Sequence, residues 1–444
     1  MKKIWGIIFI LISILCLASC NKSGEYLMYE ASKEKVNLRD YQDSSELDIF
    51  LEKLDAFANK LTIETFYDKL NKGELDLSST DNYCISPISV YMALAMAIEC
   101  SNGNTRNEIL SAVGVTYEEV AKFTEYLYTI ANNERCRTDG ITNAKKLMYF
   151  EQLANSIWID EKVELKPVGL ENLANLYHCS SYHAPFSTDK KSASKAVNDY
   201  IKEMTKGLID PKTEYSKDTL FLLINTYYIK DVWNDEGDDL SFTKDKYDFK
   251  EYDNDIEKIN LLEGYYKSGK VFEGIKYKQF YTETDNGNSI TFVVPNDGVN
   301  IKDVYTLENL NTITSTKYQV VNEEEKLCYQ TRCLFPEYKT EFDGDLKDVF
   351  KEKLGVKVLF EHADLSNITD EDVYCEGIYH KTKLIVDKTG IEGAAVTIMA
   401  MCAEAAPDET YTKVYYDFVV DRDFIFIMKN RYDITLFSGI ITEI

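Results

Sequence analysis

The sequence predicts an α+β fold, on three observations. A helical period starts at about residue 46 and runs through Leu54, Phe57 and Leu61, then Ile63, Phe66, Tyr67 and Leu70. A near-continuous apolar stretch, residues 221–230, has the character of a strand buried on both faces. Shorter apolar runs at 289–295 and 333–336 read as strands closed by proline, and the chain ends on two more, 424–428 and 436–440.

Between the strand ending at Asp387 and the next one, opening at Phe418, the sequence behaves differently. Residues 388–407 are mostly small or apolar with few turn formers, unlike an ordinary surface loop. Loops this long inside compact domains are usually functional or disordered. The same residues also read as a strand. At period 2 one face carries Ile391, Gly393, Ala395, Thr397, Met399 and Met401, with no charge, and the other Glu392, Ala394, Val396, Ile398 and Ala400. A segment written both as loop and as buried strand describes an element with two states.

At 444 residues, 45% hydrophobic and 28% charged, the chain has ordinary globular composition and ample length for a large core. The formal charge of −25 becomes −27 once residues 1–20, with Lys2 and Lys3, are set aside. Such a surface repels phosphate backbones, which excludes nucleic acid as an expected partner. In residues 1–20, Lys2 and Lys3 precede an apolar run from Ile4 to Leu17, too short for a comfortable membrane span and laid out as a signal peptide. Its ending, Leu17-Ala18-Ser19-Cys20, resembles a bacterial lipobox, in which Cys20 is lipidated; the alternative is a plain cleaved signal. Residues 21–45 lack periodicity and read as a tether. Eight cysteines are scattered through the rest without a C-x-x-C pair, so most are expected to be buried thiols, with Cys328 and Cys333 as a minor candidate pair.

Catalytic machinery is hard to find. There are four histidines, no His-Glu-x-x-His, no Gly-x-Ser-x-Gly and no zinc-spaced cysteines. Gly264-x-x-x-x-Gly269-Lys270 is followed by Val271, so the phosphate-loop pattern fails. The sequence therefore predicts no enzyme, no cofactor and no metal.

Several motifs, in order, resemble those of the serpin family. Asn82 to Met96 contains Ser86-Pro87-x-Ser89 and Ala93-Leu94-Ala95-Met96, with Pro87 in the first turn of a helix; Thr105, Ile109 and Leu110 follow. Ala154-Asn155-Ser156-Ile157-Trp158-Ile159 resembles a family strand. Val197 to Ile201 begins a helix that Thr205 to Ile209 ends. Asn225 to Trp233 is similar to Asn-x-x-x-Phe-x-Gly-x-Trp. Gly344 to Gly355 has a helical pattern ended by glycine. Ala363-Asp364-Leu365-Ser366-Asn367-Ile368 and Tyr379 to Val386 also match, and Gly390-Ile391-Glu392-Gly393-Ala394-Ala395-Val396-Thr397 resembles the hinge of the reactive-centre loop.

The resemblance implies one domain over 46–444, with three β-sheets surrounded by eight to nine α-helices and an exposed reactive-centre loop at about 388–417. It implies a monomeric suicide inhibitor of a serine protease. The protease's nucleophile attacks the loop, and the loop inserts as a new strand before the acyl-enzyme is hydrolysed. Insertion of roughly 14 residues at about 3.3 Å each carries the protease on the order of 45 Å. Ser86, Ser89, Asn225 and His380 would form the gate under the opening strands, with Asn225 and His380 hydrogen-bonding beneath them. Trp233 would pack where insertion begins. Counting from Gly390 places the scissile bond at Glu404-Ala405; counting back from Phe424 places it near Thr412. Met401 or Ala403 as the attacked residue would suit an elastase-like or subtilisin-like protease. Ile391 and Gly393 depart from the family's Thr or Ser and Ala, yet neither is charged or proline. A non-inhibitory binding protein or decoy, and an inhibitor of cysteine proteases, are the rival readings. The expected location is the outer membrane or cell surface of a bacterium, as an exported lipoprotein.

Overall fold

The computed structural model describes residues 22–41, 44–78, 82–138, 145–234, 239–253, 255–393 and 411–444. The signal segment with Cys20, the hinge residues Ala394, Ala395, Val396 and Thr397, and the Glu404-Ala405 bond lie outside them.

The first half of the chain forms β1 (Leu27–Tyr29), α1 (Ser45–Lys72), β2 (Tyr83–Ile85), α2 (Pro87–Cys100), α3 (Gly103–Val113), α4 (Tyr117–Ile130), β3 (Asn132–Thr138), β4 (Lys145–Asp160), α5 (Pro167–Leu176), β5 (Cys179–Ala184), α6 (Lys190–Met204) and β6 (Phe221–Val232). The second half adds β7 (Tyr247–Lys250), β8 (Ile256–Ile259), β9 (Leu262–Glu263), β10 (Lys267–Ser268), β11 (Phe272–Glu273), β12 (Tyr277–Glu283), β13 (Ser289–Pro295), α7 (Ile301–Val304), α8 (Leu307–Ser315), β14 (Val321–Asn322), β15 (Leu327–Phe335), β16 (Tyr338–Asp345), β17 (Tyr379–Asp387), β18 (Gly390–Gly393), β19 (Thr412–Val419), β20 (Phe424–Lys429) and β21 (Thr435–Ile441).

Local chemistry explains the helix ends. The Ser44 side chain accepts from the Leu47 amide to open α1, and Gly73, at φ 69°, closes it by donating back to the last turn. Thr116 and Glu119 form a reciprocal capping box on α4. α2 starts on Pro87 as expected and is buried almost all round, under the sheets.

Three sheets, the number expected, organise most of the strands, and β7 and β8 pair antiparallel as a separate two-stranded sheet. The largest runs β1-β5-β4-β6-β18-β17-β16, with β3 also on β4. A six-stranded sheet, β11-β12-β13-β20-β21-β2, lies behind it, and β15 gathers β9, β10, β14 and β19 into a third. One apolar core runs through all of these, with a second cluster of Trp158, Tyr182 and Tyr200 where α6 covers the large sheet.

Some expectations are corrected. α6 begins at Lys190, not Val197, because Asp189 caps it by accepting from the Ser192 amide. Gly344 lies in β16, opposite His380, and the helical turn before Gly355 covers only Val349–Lys353. The strand expected to open at Phe418 starts at Thr412, paired in parallel with β15 from Leu327 onward. With Gly390–Gly393 also a strand, the loop expected over 388–417 is shorter at both ends. Cys328 and Cys333 are both free thiols. They sit five residues apart on β15, so they point to opposite faces and cannot pair.

The segment read as a tether is docked over much of its length. β1 pairs antiparallel with β5, Leu27 opposite Tyr182. The Ser32 amide donates to the Ala174 carbonyl at 2.9 Å, and the Val36 amide to Thr129 Oγ1 at 2.9 Å. His178 donates from Nδ1 to the Ser32 carbonyl at 2.8 Å, and its ring stacks on Tyr128. Tyr41 packs on Phe123 and Tyr126. Periodicity missed this strap because backbone groups and isolated aromatic side chains make its contacts. A chain beginning at residue 37 should unfold on the order of 2–5 °C lower than one beginning at residue 22, as measured by calorimetry; equal midpoints would show the strap to be energetically idle.

Candidate functional site

The site is a slot between β6 and β17 in the large sheet. At its upper end, β18 fills the slot, pairing antiparallel with both neighbours. Ile391 lies opposite Asp231 on β6 and Val386 on β17, and Glu392 lies opposite Lys230 and Ile385. The first four residues of the expected hinge are thus already a strand. Their side chains alternate as the period predicted: Ile391 is 1% exposed and Gly393 is buried, while Glu392 faces outward. There Glu392 accepts from the Tyr228 hydroxyl at 2.8 Å and lies 3.6 Å from Lys230 Nζ. Gly390, at φ 153°, tolerates no side chain, since a Cβ would come within 1.9 Å of the Asp231 carbonyl. The departure at Gly393 has a local reason too. A Cβ there would meet Leu384 Cδ1 at 2.4 Å, so Leu384 occupies the space the family's alanine would use.

Below Gly393, among the described residues, no strand joins β6 to β17. A cavity of about 310 Å³ opens there, lined by residues 221–228 of β6, by 379–383 of β17, and by Ser86, Ser89 and Val90 of the underlying helix. Both strands present ladder groups to it, the requirement for accepting a further strand.

The structure brings the four gate residues together around this cavity but wires them as two contacts. The Ser86 amide donates to His380 Nε2 at 3.1 Å. Ser89 donates its hydroxyl to Asn225 Oδ1 at 2.6 Å, and Asn225 Nδ2 donates to Asn155 Oδ1 at 2.8 Å. Asn155 in turn donates to the Tyr177 carbonyl, so this arm is tied across β4 to the start of β5. The Ser86 hydroxyl itself has no partner among the described residues. Trp233 is buried at the upper end, where its indole donates to the Asp387 carbonyl at 2.7 Å and its ring meets Phe335 edge-on. It therefore clamps the turn between β17 and β18.

One site residue escaped the sequence reading. Asp231, on β6 beside the hinge, is 1% exposed. Its carboxylate accepts from the Val232 amide at 2.9 Å, from Asn286 at 2.7 Å, and from Thr284 and Asn288. Burial pushes the carboxyl up to about 7, against these four donors, which favour the ionised form. The knot fastens β6 to the turn between β12 and β13. The signal was visible, because Asp231 stands where the family pattern has glycine.

These elements are the setting for the comparisons with known proteins. The family model described as serpin (serine protease inhibitor) matches residues 58–444, and the chain belongs to that family. It is 24% identical to Serpin-Z4 of Arabidopsis thaliana over 385 residues, covering 82% of this chain and 92% of that one. It is 26% identical to alpha-1-antiproteinase S of Cavia porcellus over 371 residues, covering 78% and 82%. Among solved structures, native tengpin, a thermophilic serpin, superposes with a TM-score of 0.65 at 19% identity over 96% of this chain and 99% of its own. Human thyroxine-binding globulin complexed with its hormone gives 0.68 at 16% identity over 90% and 99%. The fold is therefore that of the serpins, whose members are in general protease inhibitors.

Burial holds the His380 imidazole down to about 3, so the ring is neutral and its Nε2 is free to accept. An unfolded histidine titrates near 6.5. Below that pH the unfolded chain takes up a proton that the folded chain does not. The stabilisation is whole above about pH 6.5 and is lost as pH falls towards 3. His380→Gln keeps an acceptor for the Ser86 amide and removes the titration. The excess melting temperature of wild type over this variant should shrink steadily from pH 7 to pH 4. A difference that stays constant would show that His380 is not buried as a neutral ring.

Proposed function

We propose that this serpin inhibits a serine protease by trapping it as an acyl-enzyme. The observation that supports this most directly is the half-filled slot, with four hinge residues seated and a cavity waiting beneath them. In the reaction, the protease's serine Oγ bonds to the carbonyl carbon of the attacked residue. The peptide C–N bond breaks, and the new amine leaves with a proton from the protease's histidine. The freed end then continues the strand that β18 has begun. Stepping down from Gly393 opposite Ile229, the register reaches residue 401 opposite Phe221, the first residue of β6. The strand would span 390–401, roughly 40 Å at about 3.3 Å per residue. In the same register Thr397 meets Asn225 on one side and His380 on the other, directly over the gate. New ladder bonds and apolar burial would drive the step.

The attacked bond is assigned to Glu404-Ala405. The alternative near Thr412 is disfavoured because the Thr412 amide already donates to the Lys326 carbonyl at 2.8 Å at the head of β19. Glu404 as the attacked residue calls for a protease that accepts an acidic side chain, whereas the small residues around it, with Met401 or Ala403 attacked instead, favour an elastase-like or subtilisin-like one. Thyroxine-binding globulin shares the fold, so the fold alone leaves a non-inhibitory role open; the half-filled slot favours the inhibitory one. We further assign Cys20 as a lipidation site that anchors the chain to a membrane. Cys20→Ala should abolish detergent partitioning and lipid at the mature N-terminus, and a wild type without either would remove the anchor.

The inhibitory reading is tested by a pair of neighbouring substitutions. As loop residues, Ala395 and Val396 should tolerate glutamate equally. In the inserted strand Ala395 would lie between the buried Tyr227 and Thr382, whereas Val396 would face out. Ala395→Glu should then strand a charge at a cost of several kcal/mol and turn the inhibitor into a cut, released substrate. Val396→Glu should keep most of the inhibition. The readout is the number of inhibitor molecules consumed per protease trapped, in a gel assay against elastase, subtilisin, chymotrypsin and papain. Equal values for the two variants would sink the reading.

A further inference from the structure

The end of α2 remote from the gate borders a second cavity, of about 300 Å³, which shares no lining residue with the slot. The start of α3, the first residue of α4 and the first turns of α5 complete its walls, and Asn367 closes it. Glu99, on the α2 side, is 2% exposed. Its carboxylate accepts from the Tyr117 hydroxyl at 2.7 Å and from Asn172 Nδ2 at 3.1 Å, both neutral donors. Arg106 lies over the face of the same tyrosine ring, 4.3 Å from its centroid. The Arg106 Nε donates to the Ile98 carbonyl at 3.1 Å, while its two terminal nitrogens make no bond among the described residues. Carboxylate and guanidinium thus border one cavity, a tyrosine ring apart, without forming an ion pair.

The α5 side adds further donors. Pro167 takes the first position of that helix and Lys166 supplies no side-chain cap. The Val168 and Gly169 amides therefore make no bond among the described residues. Gly169 also brings the helix start hard against the cavity's closing turn, since a Cβ there would lie 2.2 Å from the Asn367 carbonyl. Beside Glu99, the hydroxyl of the fully buried Tyr177 has no hydrogen-bond partner among the described residues.

The charges define what fits. An anion alone would suit Arg106 and the uncapped helix start, but would be repelled by Glu99. A cation alone would suit Glu99 and be repelled by Arg106. A small molecule with a charge of each sign, one short span apart, satisfies both with charge-assisted hydrogen bonds. The volume admits a molecule the size of one residue and no folded partner. We propose that this cavity binds a free α-amino acid with a small side chain, its carboxylate held by Arg106 and the α5 amides and its ammonium by Glu99. The bound molecule would link α2, α3 and α5, so its binding reads out as stability of the folded chain.

The test uses the full chain, with glycine, L-alanine, sodium acetate and methylammonium chloride at matched ionic strength. In isothermal titration calorimetry, glycine or L-alanine should bind once per chain. At roughly ten times its Kd, the bound amino acid should raise the melting midpoint by about 1–2 °C, and acetate and methylammonium at the same concentration should leave it unchanged. Arg106→Gln should weaken amino-acid binding at least about tenfold, because two charged hydrogen bonds are lost. Glu99→Gln should weaken it similarly; if that buried substitution does not fold, the half-buried Arg106→Gln carries the test alone. No binding of either amino acid up to about 50 mM would overturn the site. So would equal affinity of wild type and Arg106→Gln, or acetate binding as tightly as glycine.

Discussion

The structure depends on hydrogen bonds that β6 and β17 do not make with each other. Two long strands lie side by side in one sheet, and over residues 221–228 and 379–384 no ladder joins them among the described residues. A ladder bond contributes about 1 kcal/mol net, so a strand added in the slot, as proposed for the loop, would lower the free energy of the sheet. What keeps the slot open is bracing at its two ends. The Asp231 knot and the Trp233–Asp387 bond hold the upper end, and the Ser86–His380 and Ser89–Asn225 contacts hold the floor. Each brace is a polar contact in a buried setting, where geometry is strict and a missing partner is expensive.

Much of this could be read from the residues. The strand at 221–230, the Ser86-Pro87 helix start and the alternation of Ile391, Glu392 and Gly393 all reappear, because each depends on period and local chemistry, although residues 221–225, expected to be buried on both faces, are only half-buried along the slot. Features set by distant partners could not be read this way. Nothing near Asp231 in sequence announces that Thr284, Asn286 and Asn288 fold back upon it. The start of α6 and the true extent of the loop were misjudged for a related reason. A capping aspartate and a parallel pairing with β15 decide them, and neither leaves a periodic trace.

The hinge shows how a departure from a family pattern is absorbed. Gly393 removes a methyl group, and Leu384 from the neighbouring strand takes up the room. Ile391 adds bulk and is accommodated in full burial. The two departures are opposite in size, and each is accommodated by its own neighbours, as close packing requires.

The docked N-terminal strap bears on the mechanics of the lipid anchor proposed at Cys20. A free linker of some 25 residues would let the body wander roughly 25–30 Å from its anchor. Leu27 is fastened to β5, and Lys22–Tyr26 form a short 3-10 helix whose Tyr26 packs against the Trp158 cluster, so the described chain is docked almost from the proposed anchor onward. With Cys20 lipidated as proposed, the body would stand close against the bilayer with one edge of its large sheet turned towards the anchor, its rotation restricted. Such a molecule would patrol a surface in two dimensions, and a protease would reach its loop only from the side the anchor leaves open.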